Sequence, residues 1–370
     1  MREPQAGYTE EFEVNMGPQH PSTHGVLRLL LRMDGEIIKN AEPHVGYLHR
    51  AIEKICENRT YPQCIPLLDR FEYVTSMSTE EVFCLAAERI AAIEVPERAE
   101  YLRVIMLELN RIASHLIFLG TFSLDLGAIT PFLYCIRERE TIMDLFEMTC
   151  GQRLTYNYIR VGGVSQDIPE QFMPLARKFV DTFQARVDDY EALLTENPIF
   201  LARTKNVGIV NKQVCLDYGA SGPVLRAAGV EWDLRRDDPY SIYDRFKFEI
   251  PTGTVGDVWD RYMVRVRELR QSNEIVRQAL DQLPTGDIKA KMKPLFKPPV
   301  GEVYARIENS RGEMGCHIIS DGSTKPYRLK LRGGSFCHTQ LIPEVAPGIM
   351  IADLVAMFAS LDVILPEVDR

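Results

Sequence analysis

Apolar residues at Phe12 and Val14, and again through Val26, Leu27, Leu29 and Leu31, follow the pattern of strands with one buried face. Asp34-Gly35, set between Leu31 and Ile37-Ile38, is a strong hairpin signal, so the chain is expected to open as a small antiparallel sheet. From Gly46 the apolar period lengthens to that of helices. Ser78-Thr79-Glu80-Glu81 predicts a capped helix start running into Val82, Leu85, Ile90 and Ile93, and Pro96 suits the first turn of the helix after it. In that second helix Leu102, Ile105, Leu109, Ile112, Leu116 and Leu119 recur in steps of three and four, and Met106, Ala113 and Ile117 widen the apolar face towards full burial. Glu108, Arg111 and His115 share a neighbouring stripe, and polar groups on so apolar a helix need partners.

Pro131 to Cys150, Pro169 to Leu194 and Asp257 to Leu283 predict three further long helices, enough to pack as a bundle. The charges of Arg137-Glu138-Arg139-Glu140 and of the last of these helices read as solvated faces. A linker rich in lysine and proline follows, and then period-two alternation returns. Glu302 to Ile307, Gly315 to Ile319 and Tyr327 to Leu331 read as strands, with Asp321-Gly322 turning between two of them, and Ile349 to Leu361 as a final short helix. The predicted architecture is α+β: a central helical bundle with small antiparallel sheets at its N-terminal and C-terminal ends. Its expected parts are a hairpin region over 1–45, the bundle over 46–284, a linker over 285–299 and a β subdomain with terminal helix over 300–370, all integrated in one domain.

With 370 residues, 45% of them hydrophobic, the chain can bury a sizeable core. Its formal charge of -9, with basic residues scattered, argues against a nucleic-acid partner. Leu116 to Leu124 is broken by Gly120, Thr121 and Ser123, and Gly348 to Leu365 by Asp353 and Asp362, so no segment is expected to span a bilayer. The polar, acidic start from Met1 to Glu11 has no signal-peptide pattern, so a cytoplasmic location is expected. The eight cysteines show no ligand pair for zinc or an iron–sulfur cluster and read as buried thiols. No glycine pattern for dinucleotides or phosphates appears, so this chain alone is not expected to hold NADH or ATP. A His-Glu-x-x-His helix and a Gly-x-Ser-x-Gly elbow are also missing. What remains is histidine, tyrosine, arginine and aspartate set among apolar residues, which suits an apolar molecule with polar atoms at one end.

The segment Gly17-Pro18-Gln19-His20-Pro21-Ser22-Thr23-His24-Gly25 packs two histidines, two prolines and two hydroxyls into one short loop. Glycines at both ends permit unusual backbone angles, and Pro18 and Pro21 stiffen the turn, so His20 and His24 are expected on a rigid support. Two readings stand here: a functional loop, or a polar turn whose histidines bond only to backbone.

Gly17 to Gly25, Gly46-Tyr47-Leu48-His49 with Glu53-Lys54, Arg103 to Gly120, Asp125-Leu126-Gly127-Ala128 with Thr130-Pro131-Phe132, Arg137 to Glu140 and Arg160-Val161-Gly162-Gly163-Val164 carry a likeness. Taken in order, they resemble the quinone-site subunits of respiratory complex I, the D-type subunits of the proton-pumping NADH:quinone oxidoreductases. The likeness continues through Ser221-Gly222-Pro223, Leu225-Arg226-Ala227, Gly256-Asp257, Arg311-Gly312-Glu313 and Val368-Asp369-Arg370, so it covers almost the whole chain. It implies that quinone, the substrate, sits at the end of a buried channel between this subunit and a neighbour holding the last iron–sulfur cluster. Carried over position by position, it makes His24 and Tyr73 hydrogen-bond partners of the two quinone carbonyls and Asp125 the carboxylate that pairs with His24. His20 then braces the turn. Arg70 and His115 come near the neighbour's cluster, where positive charge or a titrating imidazole raises its reduction potential. The implied partners are the B-type iron–sulfur subunit, the C-type subunit and membrane-arm subunits at the channel entrance. The implied location is peripheral, on the cytoplasmic side of the cell membrane.

The same family is similar in fold to the large subunit of nickel–iron hydrogenases. The positions of the four metal-binding cysteines there are Glu72, Thr75, Ile364 and Glu367 here, so no metal ligation is expected in this chain. Cys316 and Cys337-His338 read as structural. Two alternatives stand beside a quinone-reducing subunit: the equivalent part of a ferredoxin-, F420- or hydrogen-linked complex, and a catalytically silent scaffold on the hydrogenase-like fold. Ser22-Thr23-His24 favours a quinone acceptor, and His24, Tyr73 and Asp125 in context argue against a scaffold.

Overall fold

The computed structural model describes residues 11–20, 25–293 and 295–370. The opening sheet forms as expected. Phe12–Met16 pairs antiparallel with Arg28–Asp34, which pairs on its other edge with Ile37–His44 around the Asp34-Gly35 turn. Between the first two strands, Gln19–His20 pairs with Gly25–Val26 in a two-stranded ladder of its own. Leu27, Leu29, Leu31 and Met33 are buried beneath the sheet.

The bundle is built from Ser76–Ala91, Glu97–Asp125, Ile129–Cys150, Phe172–Leu194 and Val258–Gln282. Glu97–Asp125 is the central rod, packed against both Ile129–Cys150 and Val258–Gln282, which explains an apolar pattern wrapped most of the way round it. The first helix begins at Ser76, ahead of the predicted start at Ser78. In its first turn Asn110 Oδ1 accepts Met77 N at 3.3 Å, and in the turn before it the Glu72 carboxylate accepts Val74 N at 3.2 Å and Thr75 N at 2.7 Å. Glu81, expected in a capping box, is instead buried 3.6 Å from Arg103. Pro96 stands one residue before its helix, and Asp257 caps the last long helix by accepting Asp260 N at 2.8 Å.

The charges of that last helix are solvated only in part: Arg267 and Asp281 are exposed as expected, but a second set is not. Arg261, Arg265 and Glu268 are buried, because loop carbonyls and neighbouring helices supply partners. Arg261 donates to the carbonyls of Gly256 and Gly208 at 2.7 and 2.9 Å, and Arg265 to that of Ser360 at 3.0 Å.

Gly301–Asn309, Gly312–Ser320 and Arg328–Arg332 form an antiparallel sheet with the middle strand central, packed on the Ser76–Ala91 helix. Residues expected as linker are tied to the bundle where Lys289 bridges Gly163. After Ile351–Leu361 the backbone turns through Asp362 in a left-handed conformation (φ 55°) into the terminal helix Leu365–Asp369. Asp369 accepts the amides of Gly46 and Leu48 at 2.7 and 2.6 Å, which fastens the chain's end to the start of the bundle.

Candidate functional site

Tyr73 stands in the turn before the Ser76–Ala91 helix, and its side chain reaches the surface at 36% exposure while Phe71, Glu72, Val74 and Thr75 around it are buried. Behind it lies a frame of buried charge. Arg311 places Nη1 3.2 Å from Glu72 Oε1 and Nη2 3.2 Å from Asp362 Oδ1. Burial pushes the Glu72 carboxyl up to about 7 against the pull of Arg311. Glu367 is also buried and hydrogen-bonded to Ser335, and Thr75 Oγ1 donates to Asn309 Oδ1 at 2.8 Å. Burial raises the Tyr73 phenol, and the charges of Glu72 and Asp362 add to that while Arg311 opposes it. The hydroxyl is therefore a neutral donor at ordinary pH.

Asp125 is the last residue of the Glu97–Asp125 helix and is half-buried. Arg265, which faces Asp362, stacks over Phe118 at 4.2 Å, so Asp125 lies two helical turns, about 10 Å, further along the same axis. Close to it in the chain Leu124, Ile129 and Leu133 are exposed apolar residues. His24 lies outside the described residues, between the paired His20 and Gly25.

Arg70 is exposed and lines a cavity of about 400 Å³ together with Asp69, Tyr156, Asn157 and Arg160. Sequence reasoning missed the carboxyl pair here. Asp69 is fully buried and pushed up to about 6 by burial, and burial and then Asp69's charge raise the equally buried Glu80. Only two acidic residues on adjacent structural elements mark them in sequence, which is no signal.

His115 is set apart from these residues. Its Nε2 lies 2.8 Å from Glu268 Oε2 in the interior, fully buried, and burial lowers its pKa despite that carboxylate. Glu268 meets Arg226 at 2.8 Å, Arg226 meets Glu308 at 2.8 Å, and Arg235 joins Asp233 at 2.6 Å and Glu108 at 3.1 Å. Burial would raise Glu268, but Arg226 and then His115 hold it well below the usual carboxylate range. The stripe of Glu108, Arg111 and His115 thus finds the partners its burial requires, with Arg111 donating to the Glu308 carbonyl. Arg311, Glu72 and Asp362 were the other omission, since only the folded chain brings them together.

A helical bundle flanked by small antiparallel sheets defines a protein of the hydrogenase large-subunit-like class, and here it carries a surface tyrosine framed by buried charges. The chain belongs to the family described as respiratory-chain NADH dehydrogenase, 49 kDa subunit, whose model matches residues 125–296 and 290–370. It is 54% identical over 363 residues to the D-type subunit of the NADH-quinone oxidoreductase of Dehalococcoides mccartyi, covering 98% of this chain and 99% of that one. The protein of the same name from Desulforamulus reducens is 52% identical over 361 residues, and that from Bacillus anthracis 51% over 362, each covering 98% of this chain and 99% of the relative. No described helix is long and apolar enough to cross a membrane.

Proposed function

We propose that this chain forms one wall of a quinone headgroup site in a membrane-associated NADH:quinone oxidoreductase and supports two-electron quinone reduction coupled to proton translocation. The observation that carries the reading is Tyr73: a phenol exposed at 36% on a fully buried charged frame, in a chain whose relatives are named for quinone reduction. Reduction adds two electrons and two protons, so each carbonyl oxygen needs a donor beside it. Tyr73, held neutral, supplies one hydrogen bond and can release a proton only to a strongly basic quinol anion. His24 supplies the other, since an imidazole of ordinary pKa near ~6.5 gives up a proton readily. Asp125 pairs with His24 and favours its charged form. The exposed apolar residues close to Asp125 in the chain suit an entry side facing membrane-arm subunits, from a peripheral position on the cytoplasmic face of the cell membrane.

The neighbour with the terminal iron–sulfur cluster, of the B type, closes the site on the side of Arg70, and the C-type neighbour completes the peripheral contacts. Arg70 offers a permanent charge at the surface. His115 is buried and kept neutral in this chain, so any effect it has on the cluster passes through the Glu268 and Arg226 pair rather than by contact. In the assembled complex, His24→Ala and Tyr73→Phe are each expected to lower quinone reduction at least about tenfold, with electron entry to an artificial acceptor unchanged. Retention of quinone turnover and apparent affinity in both variants would overturn the reading.

A further inference from the structure

Tyr73 is held by a frame that reaches from one end of the chain to the other. The two backbone amides that Glu72 accepts, Val74 and Thr75, close a tight turn with Tyr73 inside it. Arg311 fixes Glu72 from behind and is itself braced by Ser310 Oγ at 3.1 Å. The rest of its guanidinium goes elsewhere: Nη2 lies 3.2 Å from Asp362 Oδ1, and Nε donates to the Asp362 carbonyl at 2.9 Å. Asp362 begins the terminal segment, and a few residues on Leu365 packs against the backbone of Gly25, where an added Cβ would lie 2.8 Å from Leu365 Cδ1. One buried arginine therefore joins the turn that carries Tyr73 to the terminal segment.

We infer that Arg311 is a positioning residue for quinone reduction: by gripping Glu72 and Asp362 at once it fixes the turn that carries Tyr73 against the terminal segment. The inference rests on the reading that Tyr73 binds a quinone carbonyl. A guanidinium suits this task because its donors form a rigid planar fork, so two acceptors held by it cannot move independently. A lysine ammonium is a point charge on a flexible stem and holds one acceptor without fixing the other. Position matters because a reacting group misplaced by roughly 1 Å can lose about a hundredfold in rate.

The test is a double-mutant cycle in the assembled, membrane-bound complex, with decylubiquinone as acceptor and ferricyanide reduction as the control for assembly and electron entry. Arg311→Met is expected to lower kcat/KM for the quinone about tenfold with the control rate intact, and Arg311→Lys to rescue it only in part. In a Tyr73→Phe background the same Arg311→Met change is expected to lower kcat/KM less than about twofold, because the donor that the frame positions is gone. Losses that multiply across the two sites, or an Arg311→Met complex with unchanged kcat/KM, overturn the positioning role and leave the tyrosine's role standing. If Tyr73→Phe alone changes nothing, the tyrosine's part in the quinone site falls and this inference with it. Should Arg311→Met abolish the control rate, Asp362→Asn removes one anchor at constant volume and enters the same cycle. A dependence on Tyr73 then supports the inference, and multiplicative losses overturn it.

Discussion

Two clusters of buried charge lie against the Glu97–Asp125 helix, and they are built in opposite ways. In the inner one, His115, Glu268, Arg226, Glu308, Asp233, Arg235 and Glu108 are each no more than 1% exposed, and every carboxylate meets an arginine within 3.1 Å. The outer one, around Arg311, ends in a tyrosine open to the surface. Orphaned atoms do not separate the two: Asp362 Oδ2 and Arg265 Nε and Nη2 in the outer cluster, and His115 Nδ1 and Arg226 Nη2 in the inner, have no hydrogen-bond partner among the described residues. Both are dense in charge, so density does not mark a site. What separates them is a path from buried charge to an atom that a ligand can reach. The inner cluster is closed on itself and acts as structure, whereas the outer one presents a donor and stiffens it.

The largest effect expected of this contrast is on stability. Arg226→Met leaves Glu268, Glu308 and Asp233 buried without their shared cation, a loss of about 3–5 kcal/mol that a urea midpoint of the full chain would register. Tyr73→Phe deletes a surface hydroxyl and is expected to stay within ~0.5 kcal/mol of the parent while quinone turnover falls. A Tyr73→Phe chain destabilised as much as Arg226→Met would erase the distinction between the clusters.

Much of the fold can be read from local pattern. The leucine and isoleucine recurrences of the central helix are local, and so is the Asp34-Gly35 turn, which makes them visible without tertiary information. The helix start at Ser76 is hidden because the side chain that meets its first-turn amide, Asn110 on the next helix, is distant in sequence. The charges of Val258–Gln282 mislead because their partners, the carbonyls of Gly208, Gly256 and Ser360, include loop positions that no periodicity describes. The site divides the same way. Resemblance can match the segments that hold His24, Tyr73 and Asp125, and Arg311 too, but the pairing of Arg311 with Glu72, 239 residues away, is made only by folding.

An intermediate effect is expected with pH, behind the outer cluster. His338 is fully buried between the terminal segments, with Nε2 3.2 Å from the Ser221 carbonyl, and burial followed by the charge of Arg265 lowers it to about 3. An unfolded chain takes up that proton near ~6.5, so between ~6.5 and about 3 the unfolded state binds more protons and stability falls as pH falls. The contribution is fully present above that window. Replacing the group by His338→Gln should flatten the acid limb by up to ~1.4 kcal/mol per pH unit, and an unchanged slope would show that His338 is not held neutral.

The smallest effect sharpens the comparison most, because it keeps the number of partners and changes only the surroundings. Arg153, like Arg226, faces three carboxylates: Asp144 and Glu147 at 2.7 Å and Glu140 at 2.5 Å. Here, however, the side chains are 39–66% exposed, so water already solvates both signs of charge and little is gained by pairing them. Arg153→Ala is expected to cost less than about 1 kcal/mol, and the difference should shrink further in high salt. If instead Arg153→Ala approached the loss expected for Arg226→Met, partner count would outweigh burial in this protein. The inner cluster would then owe its stability to valence rather than to its exclusion from water.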